Sequence, residues 1–431
     1  MPPSRRVLNR RPTHSKTSAG GQTKVRTVNI EGRTLRVSPV FDTLFLWMAE
    51  RDAIRRKRVA GEPAPWTDDP IFSKYRFTNV FRVFDRTTQY ILKNVINRGS
   101  TDLNECAFRV MLFRTFNRIS TWELLESSIG ALTWKAFDFD TYKEVLGEAV
   151  RDGQALYGYA YIIPAPSLGM SRNYENHLLL LQRMMEDHLP EKLKEVKHIE
   201  DAHRIMISYP SMGDFTGFQL LLDLNMIPHY SFSEDEWAIC GPGSAAGLRK
   251  IFGDDVKGIE TAAMVYLRDT QNEHWERLDI SEPPSMHPGK IGVSLVDLEH
   301  SLCECEKYSR VKHPSIKGKR TSIKATFCAK PEALTVDLPA RWASRLSVNA
   351  HDAWMNVDES DPEYEVSHIV KESNADDGTI EYLVRWTGYG PEDDLWLEED
   401  QLRGAAEVLD AWWKKCNGAK RGSKHRARKL R

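Results

Sequence analysis

Along residues 41–60 the apolar positions fall close to one helical face, with Phe41, Leu44, Phe45, Met48 and Ile54 recurring at helical intervals. Arg51, Arg55, Arg56, Lys57 and Arg58 crowd the far end, where cations oppose the negative pole of a helix, so the pattern predicts one long helix. Residues 61–70, rich in glycine and proline, break it. A second stripe of Val80, Val83, Phe84, Thr87, Ile91 and Val95 predicts a helix over 79–97, with Thr78 or Asn79 as its cap. Further helices are expected at 103–117, 121–128, 141–151, 174–188 and 189–196, and the run from Phe218 to Met226 is buried-helix material. Gly241-Pro242-Gly243 then reads as a tight turn opening another helix. The N-terminal three quarters is therefore mostly α.

Near the C-terminus the period drops to two. A strand is predicted at 364–370, a polar hairpin turn at 373–378 with Asp377-Gly378 suited to positive φ, and a second strand at 381–386. In that second strand Tyr382, Val384 and Trp386 share one face. A third strand is expected at 394–397, and Val408, Leu409, Trp412 and Trp413 predict a closing amphipathic helix over 405–415.

At 431 residues, 41% hydrophobic and 28% charged, the chain is too long for a single core, so two or three domains are expected. No run of 18 apolar residues occurs and the first 30 residues carry no apolar segment, so neither a membrane span nor a secretory signal is expected and the reading is intracellular. Six scattered cysteines fit core thiols, and Cys303-x-Cys305 has no second pair, so no metal site is expected. The formal charge of −1 hides segregation. Nine Lys/Arg face only Glu31 up to Arg36, and nine more follow from Lys414 with no acid. Such ends are either solvated and inert or serve as nuclear localisation signals and phosphate-binding arms, Lys420-Arg421 and residues 424–429 above all.

The three strands, the closing helix and the residues 382–396 resemble a chromodomain, over about 361–416. The resemblance implies that Tyr364, Trp386 and Tyr389 wall a methyl-lysine cage, with a methylated histone tail as partner. Aromatic faces attract a poorly hydrated methylammonium by roughly 0.5–2 kcal/mol each. From Asp361 to Trp413 the chain has 15 carboxylates against Lys371, Arg385 and Arg403, which suits a basic peptide. Trp396-Leu397-Glu398 departs from the Trp-Glu-Pro of many chromodomains and is closer to those of retrotransposon integrases.

A second resemblance rests on the blocks 65–71, 75–82 and Asp85-Arg86, on Gly241-Pro242-Gly243 with Gly247-Leu248, and on residues 303–308. Together they resemble the helical domain attached to 5-hydroxymethyl-deoxyuridine DNA kinases. That domain is grouped with α-glutamyl/putrescinyl-thymine pyrophosphorylases and is similar to helix-hairpin-helix DNA glycosylases. The implied architecture is a basic disordered arm (1–37), a mostly α, glycosylase-like domain (38–310), a linker (311–360), the chromodomain (361–416) and a basic tail (417–431).

No phosphate-cradling Gly-x-x-x-x-Gly-Lys-Ser/Thr loop occurs, so phosphorylation by this chain alone is not expected, and no cofactor is expected. Base transfer or cleavage on a flipped nucleotide remains open. Arg76, Asn79, Arg82, Arg86, Gly241 and Gly243 are the candidate DNA contacts, with Asn79, Arg82 and Arg86 at i, i+3, i+7 on the expected helix. Asp85, Arg82 and Lys307 are the catalytic candidates. The alternative is a buried ion-pair network around Asp85 that merely holds helices together. The joined expectation is a nuclear protein that carries a DNA-handling domain to marked chromatin, with a silent binding protein or a transposable-element derivative as the alternatives.

Overall fold

The computed structural model describes residues 26–158, 163–287, 289–323, 327, 336–343, 366–374, 380–386, 395–398, 402 and 407–416. These residues belong to two compact units, 1–353 and 354–431.

The first unit opens with a hairpin of β1 (Thr27–Ile30) and β2 (Arg33–Arg36). Its two-residue turn holds Glu31 and Gly32 at φ of 47° and 74°, the left-handed pair that such a hairpin requires. Ile30 and Leu35 are buried, so residues 27–36 are not part of a disordered arm: the alternation of Val28, Ile30 and Leu35 outweighs the basic composition. There follow α1 (Val40–Val59), α2 (Pro70–Lys74), α3 (Arg86–Tyr90), α4 (Leu103–Phe116), α5 (Ile119–Ile129), α6 (Phe139–Arg151) and α7 (Asn173–Glu186). Then come α8 (Leu189–Glu195), α9 (Ile199–Met206), α10 (Asp214–Leu224), α11 (Pro242–Phe252), α12 (Glu260–Asp269) and α13 (Gln271–Arg277). A small hairpin, β3 (Ser285–His287) and β4 (Lys290–Ile291), precedes α14 (Leu295–Lys312), and α15 (Ala340–Ala343) ends the unit's described elements.

The core forms where α1 packs on α11, α13 and α14. Phe41 meets Phe45, Phe252 and His274 at ring distances of 5.5, 6.0 and 4.8 Å. α11 lies close on α14 because its glycines leave room: a Cβ on Gly247 would sit 2.6 Å from the Leu302 carbonyl oxygen.

The expected helix over 79–97 is broken. A 3-10 turn spans Arg82–Phe84, Asp85 is extended, and after α3 the chain widens into a π turn over Ile91–Ile96. The cause is local competition for the backbone. Asn79 Nδ2 donates to the Phe84 carbonyl at 2.7 Å and Asp85 accepts from the Asn79 amide at 2.8 Å, bonds that a continuous helix would forbid. The residues read as a linker are also partly built in. The Asp337 amide donates to Gln89 Oε1 at 2.7 Å, Gln89 Nε2 donates back to the Asp337 carbonyl at 2.9 Å, and Arg341 Nη1 donates to the Tyr230 carbonyl at 2.8 Å.

The second unit is a three-stranded antiparallel sheet, β5 (Val366–Asn374), β6 (Ile380–Trp386) and β7 (Leu395–Glu398) in that order, with a helix α16 over residues 407–416. Ile369, Tyr382, Val384, Leu402 and Leu409 form its core, so the period-2 reading of β6 holds at Tyr382 and Val384. Trp413 Nε1 donates to the Tyr382 hydroxyl at 3.2 Å, and Trp412 Nε1 to Glu372 at 2.7 Å.

Candidate functional site

Two clefts of the helical unit share Trp66 in their lining. Asp69 caps α2 by accepting from the amides of Ile71 and Phe72 at 2.7 and 3.2 Å, and Pro70 starts that helix without needing a donor. The cap fixes the preceding segment. Lys57 Nζ donates to the Trp66 carbonyl at 3.0 Å and the Trp66 indole donates to the Glu62 carbonyl at 2.7 Å, so the ring is held against the end of α1.

On one side of Trp66 is a pocket of about 380 Å3 walled by Arg51, Arg58, Trp66, Tyr75, Phe77 and Phe327. Phe72 and Phe77, which line it, belong to an aromatic cluster in which the Phe72 ring lies 5.3 Å from both Phe77 and Tyr308. Arg58 stacks over Trp66 at 5.1 Å. Arg51 is buried. Its Nε donates to the Thr78 carbonyl at 2.8 Å, while Nη1 has no partner among the described residues, and neither does Arg58 Nε. Burial lowers the Arg51 pKa to about 10, with Asp85 opposing that shift and the charge of Arg58 adding to it, so the group stays cationic near neutrality. Burial lowers Arg58 as well.

On the other side is a cleft of about 570 Å3 lined by Glu50, Lys57, Asp68, Asp69, Tyr308 and Lys312 among others. The Tyr308 hydroxyl donates to Asp69 Oδ2 at 2.7 Å, and burial together with that carboxylate pushes its pKa up, so the phenol stays protonated.

The sequence-predicted residues separate into two groups. Arg76 and Arg86 are exposed. Asn79 and Arg82 are buried, and Arg82 serves the interior: Nη2 donates to Asp223 at 2.7 Å, Asp223 also meets Arg114 at 3.1 Å, and the Arg82 amide donates to Asp297 at 3.1 Å. Asp85 binds Asn79 and lies 3.1 Å from His300 Nε2. Burial opposes protonation of His300, yet the hydrogen bond and charge of Asp85 outweigh it and raise its pKa. Lys307 pairs with Glu304 at 2.7 Å and lies over Phe77 at 4.8 Å. Asn79, Arg82 and Arg86 therefore share no helix face, and none of Asn79, Arg82 and Asp85 lines either cleft beside Trp66.

Gly241 caps α11 as expected, but its amide donates to Glu299 at 3.0 Å, and the Ser244 hydroxyl donates to the same carboxylate. The positive end of α11 thus faces a carboxylate of its own chain, and Gly243 lies against Cys303. Residues 225–241 separate α10 from α11, a connection longer than a helical hairpin turn. Tyr364 and Tyr389 lie outside the described residues, as do the basic ends 1–25 and 417–431; of the cage trio only the backbone of Trp386 is described, paired with Val366.

By composition Arg51 is one of five cations at the end of α1, and only its place on the apolar face marks it as buried. It continues the stripe of Phe41, Leu44 and Met48 at the next helical interval, and that periodicity is the signal that would have found it.

Among the described residues no His/Cys/Asp/Glu group could hold a metal, and no helix is long and apolar enough to cross a membrane. The family described as 5-hmdU DNA kinase, helical domain, matches residues 38–318, and the Chromo (chromatin organisation modifier) domain matches 364–415. A 5-hmdU DNA kinase of Bacillus phage SP10 is 25% identical over 290 residues, covering 62% of this chain and 45% of the phage protein. Chromatin-associated protein SWI6 of Cryptococcus neoformans var. grubii is 43% identical over 51 residues, 12% of this chain and 22% of that protein. The chain thus spans less than half the length of either relative through the matched segment. No solved structure matches. The chromodomain suggests association with chromatin and, indirectly, a nuclear location. With the family match running through most of the helical unit, the chain belongs to the family of the 5-hmdU DNA kinase helical domain, joined here to a chromodomain.

Proposed function

We propose that this is a nuclear protein whose chromodomain reads a methylated histone lysine and so brings a DNA-facing helical domain, related to enzymes of thymine and hydroxymethyluracil modification, to chromatin. One observation carries the reading part: Val366, the first residue of β5, is the strand partner of Trp386 at the end of β6, so the backbone of Trp386 lies at the end of the sheet where β5 begins. The surplus of carboxylates over basic residues between Asp361 and Trp413 favours a basic peptide. On the helical unit, exposed Arg76 and Arg86 within the family blocks are suited to phosphate contacts.

A second reading, binding without catalysis, is favoured by the interior roles of Arg82 and Asp85, which leave neither of them at an open cleft beside Trp66. Incubating the full chain with duplexes containing hydroxymethyluracil separates the two. A modified or released base supports the catalytic reading; salt-sensitive binding with the base unchanged supports the second; no binding at any salt would remove DNA from both.

A further inference from the structure

We propose that the pocket beside Trp66 is a ligand site for a planar ring carrying an anionic group, of the size of a single-ring nucleotide, with Arg51 and Arg58 taking the anion and the aromatic walls taking the ring. This goes beyond the chromatin and DNA reading and stands without it, since a chain that never touches DNA would still take the free ligand.

Two cations of the pocket lack a contact anion among the described residues. Arg51 and Arg58 both wall the pocket, and neither forms an ion pair among the described residues. Asp52, Asp85 and Glu304 act on Arg51 at longer range, but each is engaged elsewhere: Asp52 with Arg55 at 2.7 Å, Asp85 with His300 at 3.1 Å, and Glu304 with Lys307 at 2.7 Å. Arg51 is 7% exposed, its Nη1 is unpartnered, and a buried donor without an acceptor is costly unless something supplies one. Two guanidiniums whose charges disfavour each other, set in a low-dielectric pocket, are relieved by an anion between them.

The walls set the second requirement. Trp66, Tyr75, Phe77 and Phe327 line the pocket, and four aromatic side chains favour a flat π system over an alkyl chain or a bare oxyanion. The volume of about 380 Å3 is at the lower end of small-molecule sites, roughly 300–1,000 Å3, so one ring with one charged group fits better than a dinucleotide. The shared chemistry has two sources, a free nucleoside monophosphate or a nucleotide extruded from a strand.

Isothermal titration of the full chain tests this with thymidine 5′-monophosphate, thymidine and inorganic phosphate. The monophosphate is expected to bind, and both halves to bind at least about tenfold more weakly. Arg58→Gln, at a half-buried position, is expected to weaken the monophosphate by about tenfold or more with the urea unfolding transition retained, as is Arg51→Met. A duplex with one unpaired thymidine that displaces the monophosphate, where its abasic counterpart does not, assigns the strand source; equal failure of both duplexes assigns the free one. Phosphate binding as tightly as the monophosphate, no binding of the monophosphate, or an Arg58→Gln chain that binds it as the parent does would overturn the proposal.

Discussion

Gly243 and Cys303 meet so closely that a Cβ built on the glycine would overlap the cysteine Sγ. The contact joins two sequence blocks 60 positions apart and explains why a Gly-Pro-Gly run opens α11: the helix start is pressed onto α14. Gly243→Ala is therefore expected to destabilise the helical unit by about 1–3 kcal/mol, read from urea unfolding. Cys303→Ala in the same chain removes the Sγ and is expected to recover part of that loss; simple additivity of the two changes would mean that the contact is not the cause.

Asp223 is fully buried between Arg82 and Arg114. Asp223→Asn removes a carboxylate that two buried guanidiniums share and is expected to cost about 3–5 kcal/mol. Because the pair is shielded from solvent, the loss should be the same at low and high salt. A loss that disappears in high salt would place these groups at the surface.

Exposed Arg76 and Arg86 give the opposite signature. Alanine at either is expected to leave urea unfolding within about 0.5 kcal/mol of the parent and to lower the slope of log affinity for DNA against log salt by about 0.9. An unchanged slope in both variants would take these residues out of the DNA contact.

Half-buried Glu234 and buried His274 bend the stability profile in opposite senses. Burial and the Asp297 charge raise the Glu234 pKa from 4.5 to about 7, so the folded state holds a proton that the unfolded chain has already lost; its stabilisation is present below pH 4.5 and fades as pH rises to about 7. His274, set between Phe41 and Phe45, is lowered from 6.5 to about 4 by burial and by Arg26 and Arg277, so its contribution is present above pH 6.5 and is lost as pH falls to about 4. Glu234→Gln is expected to flatten the fall in stability between about pH 5 and 7, and His274→Phe to flatten the acid side. Chemical denaturation across pH checks both, and parallel profiles for parent and variants would contradict the assignments.

Much of the fold was legible because apolar stripes and caps carry it. Helices α4 to α8, the start of α11 and the strands of the second unit were read within a few residues. α14 was missed because Asp297, Glu299, Glu304 and Glu306 interrupt its apolar stripe, yet all four are buried with hydrogen-bond partners, and a binary pattern cannot see a satisfied carboxylate. The helix over 79–97 failed for a related reason, since Asn79 and Asp85 bond the local backbone instead of letting it coil. The site was half legible. The family blocks contain Trp66, Tyr75 and Phe77, but that they converge with Arg51 and Arg58 is a property of tertiary contact, not of spacing.

We propose that the C-terminal unit reads a methylated lysine. Isothermal titration calorimetry of the full chain with a basic histone-tail peptide, trimethylated or unmodified at one lysine, tests it most directly. The expected result is a preference for the trimethylated peptide of about tenfold or more, abolished by Trp386→Ala with the unfolding transition of the helical unit unchanged. Equal affinity for the two peptides, or a preference that survives Trp386→Ala, would contradict it.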